Sequence, residues 1–149
     1  MAQTDSGVKL PREVGQVAVV VRDLDRAIDY YTGLGLGPFR RWEATLPQAT
    51  FRGRRVPLHL KLALARLGPL QLELIEAQEG ENLYWEFLQE RGEGLHHLGF
   101  NVPDLEAEVA RFARQGIGVL QSGKTDGVSF AYLNTAGIGG VIFELIQRG

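Results

Sequence analysis

One glutamine, one histidine and two glutamates carry the chemistry that this sequence suggests. Gln16, Glu73, His97 and Glu144 supply an amide oxygen, an imidazole nitrogen and two carboxylates. That oxygen and nitrogen set suits Zn²⁺, Co²⁺, Ni²⁺, Mn²⁺ or Fe²⁺, with water completing the shell and the two carboxylates balancing the charge of the ion. Taken singly, a strand histidine and two strand glutamates read as solvated residues on unrelated faces. Their places in an internal repeat argue otherwise. Residues 16–39 fall on residues 97–120 at a shift of 81 without a gap, so Gln16 meets His97, Asp23 meets Asp104, and Gly35 and Gly37 meet Gly116 and Gly118. Further on, Leu72 to Ile75 falls on Phe143 to Ile146 at a shift of 71, so Glu73 meets Glu144 and the first module is ten residues longer inside. The period is too long for a solenoid and indicates two fused modules.

The elements that must position these residues follow from periodicity. In module one an alternating, valine-rich strand at 15–21 leads into a helix with Asp23 as its N-cap and apolar Leu24, Ala27, Ile28 and Tyr31 at helical spacing. Module two repeats this with a strand at 96–102, the cap Asp104, and apolar Leu105, Val109 and Phe112. Strands are expected next at about 38–46, 58–67 and 70–77 in the first module, and at about 118–121, 128–134 and 140–147 in the second. The order β-α-β-β-β therefore occurs twice, giving eight strands in an α+β protein. One domain spans residues 1–149: module one at about 14–78, a linking helix at about 82–91, and module two at about 95–147. Alternation turns Val17, Val19 and Val21, like Leu98, Phe100 and Val102, toward the helices. The opposite faces carry Gln16, Ala18 and Val20, and His97, Gly99 and Asn101, which predicts an open, wet cavity. Glu73 and Ile75 share a face, as do Glu144 and Ile146, and across the Gly68-Pro69 turn Leu62 and Leu64 should line the wall beside Glu73.

Composition narrows the partners. The formal net charge is −2 and the pI is about 5.9, so no global field attracts nucleic acid or an anionic membrane. Cysteine is absent, which excludes disulfides, thiolate nucleophiles and cysteine metal sites and fits a reducing, cytoplasmic setting. The N-terminal segment is polar without an apolar targeting core, and no apolar run is long enough to span a bilayer. A small molecule is the expected partner. Arg52, Arg54 and Arg55, near Arg40 and Arg41, could grip its phosphate or carboxylate, although a solvated loop is the plainer reading. Tyr84, Trp85 and Phe87 of the linking helix read first as packing residues, and Ser122 to Gly127 reads as a turn and no P-loop.

Paired β-α-β-β-β modules with polar groups in the first and last strand of each resemble the vicinal oxygen chelate superfamily of glyoxalases, methylmalonyl-CoA epimerases, extradiol dioxygenases and bleomycin-resistance proteins. The resemblance runs from about residue 14 to 147 and implies an open eight-stranded barrel around a divalent metal, commonly in a homodimer. It implies that His97, not His96, is the ligand, in agreement with alternation, which turns His96 to the helix side. The stretch from Phe87 to Leu98, F-L-Q-E-R-G-E-G-L-H-H-L, is similar to one in the epimerase branch, F-L-x-x-x-G-x-G-x-H-H. The set Gln16, Glu73, His97, Glu144 is similar instead to that of some glyoxalases I, yet L-I-E-A-Q-E-G-E-N after Glu73 lacks the stretch of glutathione-using members. Epimerases can also take a carboxylate from the third strand, where residues 58–67 offer only His59, Lys61 and Arg66. The resemblance thus implies a metal-dependent isomerase or epimerase that removes a proton α to a carbonyl of a small carbonyl compound or acyl-CoA. Glu144 is then the base, displaced from the ion by substrate, and Glu73 is the second proton carrier. The alternatives are a glyoxalase I-like lyase and a non-catalytic small-molecule binder. A ring-cleaving dioxygenase would need two histidines at the ligand positions.

Overall fold

The computed structural model describes residues 13–149; the polar N-terminal segment read above lies outside them. Module one comprises β1 (Gln16–Val21), α1 (Leu24–Gly33), β2 (Arg40–Leu46), the short β3 (Thr50–Phe51) and β4 (Arg54–Arg55), β5 (Leu58–Leu67) and β6 (Leu70–Glu76). A helix α2 (Leu83–Arg91) leads to module two: β7 (Gly94–Asn101), α3 (Leu105–Arg114), β8 (Val119–Thr125), β9 (Val128–Leu133) and β10 (Ile142–Arg148). The strands form one curled sheet in the order β2-β5-β6-β1-β7-β10-β9-β8-β3-β4. The protein is therefore an α+β half-barrel in which β1 and β7 pair antiparallel at the centre and each module fans outward from that seam. Both modules pair within one chain.

Two features depart from the eight expected strands. The ten extra residues of module one include the β3–β4 hairpin, whose Thr50 and Phe51 pair with Ser122 and Gln121 on the far edge strand β8. The seam also has a bulge: Ala18 pairs with His97, but Val19 pairs with Leu95. A bulge leaves one residue outside the ladder and breaks the inward–outward alternation. Here it falls at His96.

The repeat governs the helix starts as well. Asp23 Oδ1 accepts from Arg26 N and Asp104 Oδ1 from Ala107 N, both at 3.1 Å, so each aspartate satisfies an orphan amide of the first turn. The last strands supply matching second caps, since Glu76 Oε1 accepts from Leu24 N at 2.9 Å and Gln147 Oε1 from Leu105 N at 2.8 Å. These pairs are related by the same shifts of 81 and 71. Equivalent hydrogen bonds thus anchor both helices to the closing strand.

Packing divides into three clusters. Outside the sheet, α1 covers Val21, Leu72 and Leu74, and α3 covers Phe100, Leu133 and Leu145. Inside, Ala18, Val20, Ile75, Tyr132 and Ile146 pack with Tyr84 and Leu88 of α2. This corrects the expectation of a wholly wet inner face. The linking helix caps one end of the trough with apolar side chains, and the cavity occupies only the remainder. Leu145 is fully buried, and Leu145→Ala is expected to lower unfolding free energy by about 2–5 kcal/mol, measured by urea denaturation.

Candidate active site

Glu73 and Glu144 come from the strands that close each module, Gln16 and His97 from the central pair. Cross-strand register lines them up in two adjoining rows, Glu73–Ala18–His97 and Gln16–Gly99–Glu144. Each row holds two polar groups with a small residue between them, and the shifts of 81 and 71 exchange one row for the other. All four side chains are buried. His97 Nε2 is the hub: it lies 3.2 Å from Glu144 Oε1, 3.3 Å from Gln16 Oε1 and 3.6 Å from Glu73 Oε1. Gln16 turns its Nε2 the other way, donating to Gln71 Oε1 at 3.1 Å and Glu73 Oε2 at 3.4 Å.

Among the described residues, no three His, Asp or Glu side chains are already closed around a point where an ion would sit. The spacing nonetheless matches a divalent centre. Ligand bonds of about 2.1 Å give neighbouring donors roughly 3.0–3.4 Å apart in octahedral or tetrahedral geometry, which is the range of the Nε2 distances to Glu144 and Gln16. Glu73 Oε1 stands just outside that range, at 3.6 Å.

Charge and burial fit the same group. Burial pushes the His97 imidazole down to about 3, so its ring is neutral, as a metal ligand must be. Burial raises the Glu144 carboxyl to about 8, against the opposing effects of a hydrogen bond from Tyr132 and of Arg148. Glu73 is raised well above the ordinary range, first by burial and then by the Glu144 charge. Two desolvated carboxylates side by side repel as anions, and a divalent ion between them removes that repulsion.

The bulge makes His96 part of this site's support. Its Nδ1 stands 2.8 Å from His97 Nδ1, and its ring meets Phe87 and Tyr132 edge to face and Tyr84 at a tilt. Strict alternation would have sent it outward. Its Nε2 and the Gln121 Nε2 are the buried side-chain nitrogens without a hydrogen-bond partner among the described residues.

A cavity of about 320 Å³ opens over Gln16, Glu73 and Glu144. Leu60, Leu62 and Leu64 form one wall, as alternation across the Gly68-Pro69 turn predicts, with Leu64 paired to Glu73. His59 instead bonds Thr45 Oγ1 at 2.9 Å, away from the carboxylates. Thr125 and Asp126, at the tip of the β8–β9 hairpin, reach the cavity, so the segment Ser122 to Gly127 forms the end of a hairpin.

The arginines at 52–55 take the plainer reading of a surface loop. Arg52 and Arg54 pair with Glu86 at 2.8 Å and Glu81 at 2.5 Å, beside α2, Arg41 pairs with Asp25, and Arg55 lies exposed in β4 outside the cavity lining. Of the five, Arg40 alone lines the cavity, joined by Arg148. Arg148 was legible: it follows Glu144 and Ile146 on one face of β10. Tyr84 and Tyr132, whose hydroxyls meet at 2.7 Å, were also missed as lining residues. Tyr132 pairs with Glu144 across β9–β10, but that register depends on a loop whose length gives no turn type.

Gly99 shows how tightly the rows fit. A Cβ there would stand 3.0 Å from Gln16 Cβ and from Ile146 Cδ1, and 3.3 Å from Gln16 Oε1. Gly99→Ala is therefore expected to push Gln16 aside. A loss of divalent-ion affinity of about 10- to 100-fold, the usual effect of disturbing a ligand's support, is the outcome to check by competition titration.

The fold and this site define a family. The model of the Glyoxalase/Bleomycin resistance protein/Dioxygenase superfamily matches residues 15–132, and the chain belongs to that superfamily. Among solved structures it is similar to a methylmalonyl-CoA epimerase of Streptomyces coelicolor in complex with 2-nitronate-propionyl-CoA (22% identity, 95% of this chain, 96% of that chain, TM-score 0.71). It is also similar to the methylmalonyl-CoA epimerase of Mycobacterium tuberculosis (23% identity, 100% of this chain, 93% of that chain, TM-score 0.68). A hypothetical protein of Bacillus halodurans aligns with 22% identity over 92% of this chain and 94% of its own, with TM-score 0.69. At these identities the likeness is one of fold. No curated protein matches the sequence.

Proposed function

We propose that this protein is a metal-dependent isomerase or epimerase that moves a proton on the carbon next to a carbonyl, acting on a small carbonyl compound or an acyl-CoA. The observation that carries the reading is the pair of buried carboxyl groups converging with Gln16 on one neutral imidazole, whose two charges, once ionised, one divalent ion would balance. Gln16 Oε1, Glu73, His97 Nε2 and Glu144 would hold the ion. A divalent ion bound there would polarise a substrate carbonyl as a Lewis acid and so acidify the neighbouring C–H.

The remaining work falls to the chain. Glu144 Oε takes the proton as general base, from a buried position on the cavity wall. Glu73, in the adjoining row, returns a proton from the other side. Leu60, Leu62 and Leu64 exclude water beside the reacting carbon, which strengthens every polar interaction there. Ligation through Nε2 requires the His97 proton on Nδ1, where the His96 ring accepts it.

Two measurements test this. Metal analysis after growth with Zn, Co, Ni and Mn should find close to one ion per chain, lost in a Glu73→Gln/Glu144→Gln double variant. Deuterium should then pass from D₂O into the α-carbon of candidate 2-substituted acyl thioesters and 2-hydroxy ketones. Full loading without exchange into any of them would support a binder, whereas exchange into hemithioacetals of 2-oxoaldehydes would favour the glyoxalase-type lyase.

A further inference from the structure

The inward rows of three strands end in arginine at the same rim. On β5 the row Leu60, Leu62, Leu64 continues to Arg66, on β10 the row Glu144, Ile146 continues to Arg148, and on β2 Arg40 precedes Trp42 on the cavity side. Beyond this rim lies a second concavity of about 560 Å³, which shares Arg40, Leu64, Gln71 and Arg148 with the first. The two spaces therefore meet along one wall. Arg40, Arg66 and Arg148 line the second space, and its other described lining residues carry no charge.

Among the described residues, none of these three arginines is in an ion pair with a carboxylate. Arg66 Nη2 donates to the Gly68 carbonyl at 3.3 Å and Arg148 Nη1 to Asn101 Oδ1, both neutral acceptors, and no ion pair of Arg40 is found among the described residues. Arg41, the neighbour of Arg40 on the opposite side of β2, is paired with Asp25. Among the described lining residues of the two spaces, Asp126 is the one acid besides Glu73 and Glu144, and it lines only the first. With no ion pair among the described residues, these three guanidinium groups make a cationic lobe beside a site of buried carboxylates. Guanidinium forks pair bidentately with phosphate and carboxylate oxygens, and three of them match an anion of more than one charge.

We infer that this lobe is an anchoring site for a polyanionic tail, of phosphate or pyrophosphate chemistry, on a substrate whose carbonyl end lies in the first cavity. The inference rests on the proposed function for the position of the reacting end but concerns residues that take no part in it. Division of labour follows: the tail supplies affinity at the rim, and the carboxylate site supplies chemistry.

The test uses inorganic pyrophosphate as the probe, titrated calorimetrically into metal-free protein in EDTA at low ionic strength. One site per chain is expected, weakened at least tenfold by Arg66→Gln and abolished in Arg40→Gln/Arg66→Gln, with Arg41→Gln unchanged and all variants melting normally. Succinate should bind more weakly than pyrophosphate. No binding by the unaltered protein, undiminished binding by the double variant, or a preference for succinate would overturn the inference. Because the titration needs neither metal nor turnover, an anion site on a protein that takes up no metal would sink the proposed function alone, and a loaded, exchanging enzyme that ignores pyrophosphate would sink this inference alone.

Discussion

Replacing Glu144 by glutamine is expected to lower turnover of an exchanging carbonyl substrate by about 100- to 10,000-fold, the usual contribution of a positioned general base. The amide keeps the shape and one oxygen but cannot accept the proton. A second readout separates this role from a structural one. In the metal-free protein Glu144 is buried, with its carboxyl raised to about 8, so ionising it costs stability, and an uncharged amide escapes that cost. Glu144→Gln should therefore melt higher than the unaltered metal-free protein at pH 8 while being nearly inactive. Unchanged turnover in a variant with bound metal would remove Glu144 from the base role. A destabilised and inactive variant would leave packing as the cause.

The second large effect is the pH dependence of stability and its reversal by metal. Glu144 has a folded-state value of about 8 against an ordinary 4.5, so between those values the folded state binds the extra proton and stability falls as pH rises. Glu73 is shifted the same way. His97 works in the opposite sense: lowered to about 3 from 6.5, it gives stability that is complete above pH 6.5 and lost as pH falls toward 3. His96 is lowered in the same direction. The effects oppose one another between about pH 4.5 and 6.5, so the clean window is pH 6.5 to 8. There the metal-free protein should lose up to about 1.4 kcal/mol per pH unit for each titrating carboxylate. A divalent ion needs these ligands deprotonated, so its stabilisation should grow over the same window, reaching about 4 kcal/mol at a thousandfold excess over its dissociation constant. Melting curves at pH 6.5, 7.2 and 8, with and without Co²⁺ or Mn²⁺, check both signs. A flat metal-free profile with an equal gain at each pH would mean that the carboxylates do not titrate together at this site.

Much of the architecture was legible because duplication reports on itself. Equivalent residues at shifts of 81 and 71 located the strands, the aspartate caps and the pairing of Gln16 with His97 and Glu73 with Glu144. Period-two alternation then turned those side chains inward together with Leu62 and Leu64. What stayed hidden was whatever breaks a period or depends on long-range register. His96 lies at a bulge, which no local composition marks, since the neighbouring residues remain good strand formers. The β3–β4 hairpin occupies the unrepeated stretch, and its two-residue strands are too short for alternation to register. Tyr84 reaches the site because α2 packs against the inner face of the sheet, a placement helical periodicity does not specify. Arg148 was within reach of the facing argument, and of the five arginines that could grip an anion Arg40 alone lines the cavity.

The β3–β4 hairpin has a consequence for how the chain reaches this state. Thr50 pairs with Ser122 across 72 residues, and their hydroxyl oxygens approach to 2.6 Å, so the insertion of one module fastens onto the outermost strand of the other. Its contacts must meet the loop-closure entropy of the chain they span, and once made they latch the two modules together. A chain that exchanged its second module with another copy would have to release β3 from β8 together with the Arg52–Glu86 and Arg54–Glu81 pairs. The latch thus favours a self-contained protomer over a module-swapped one.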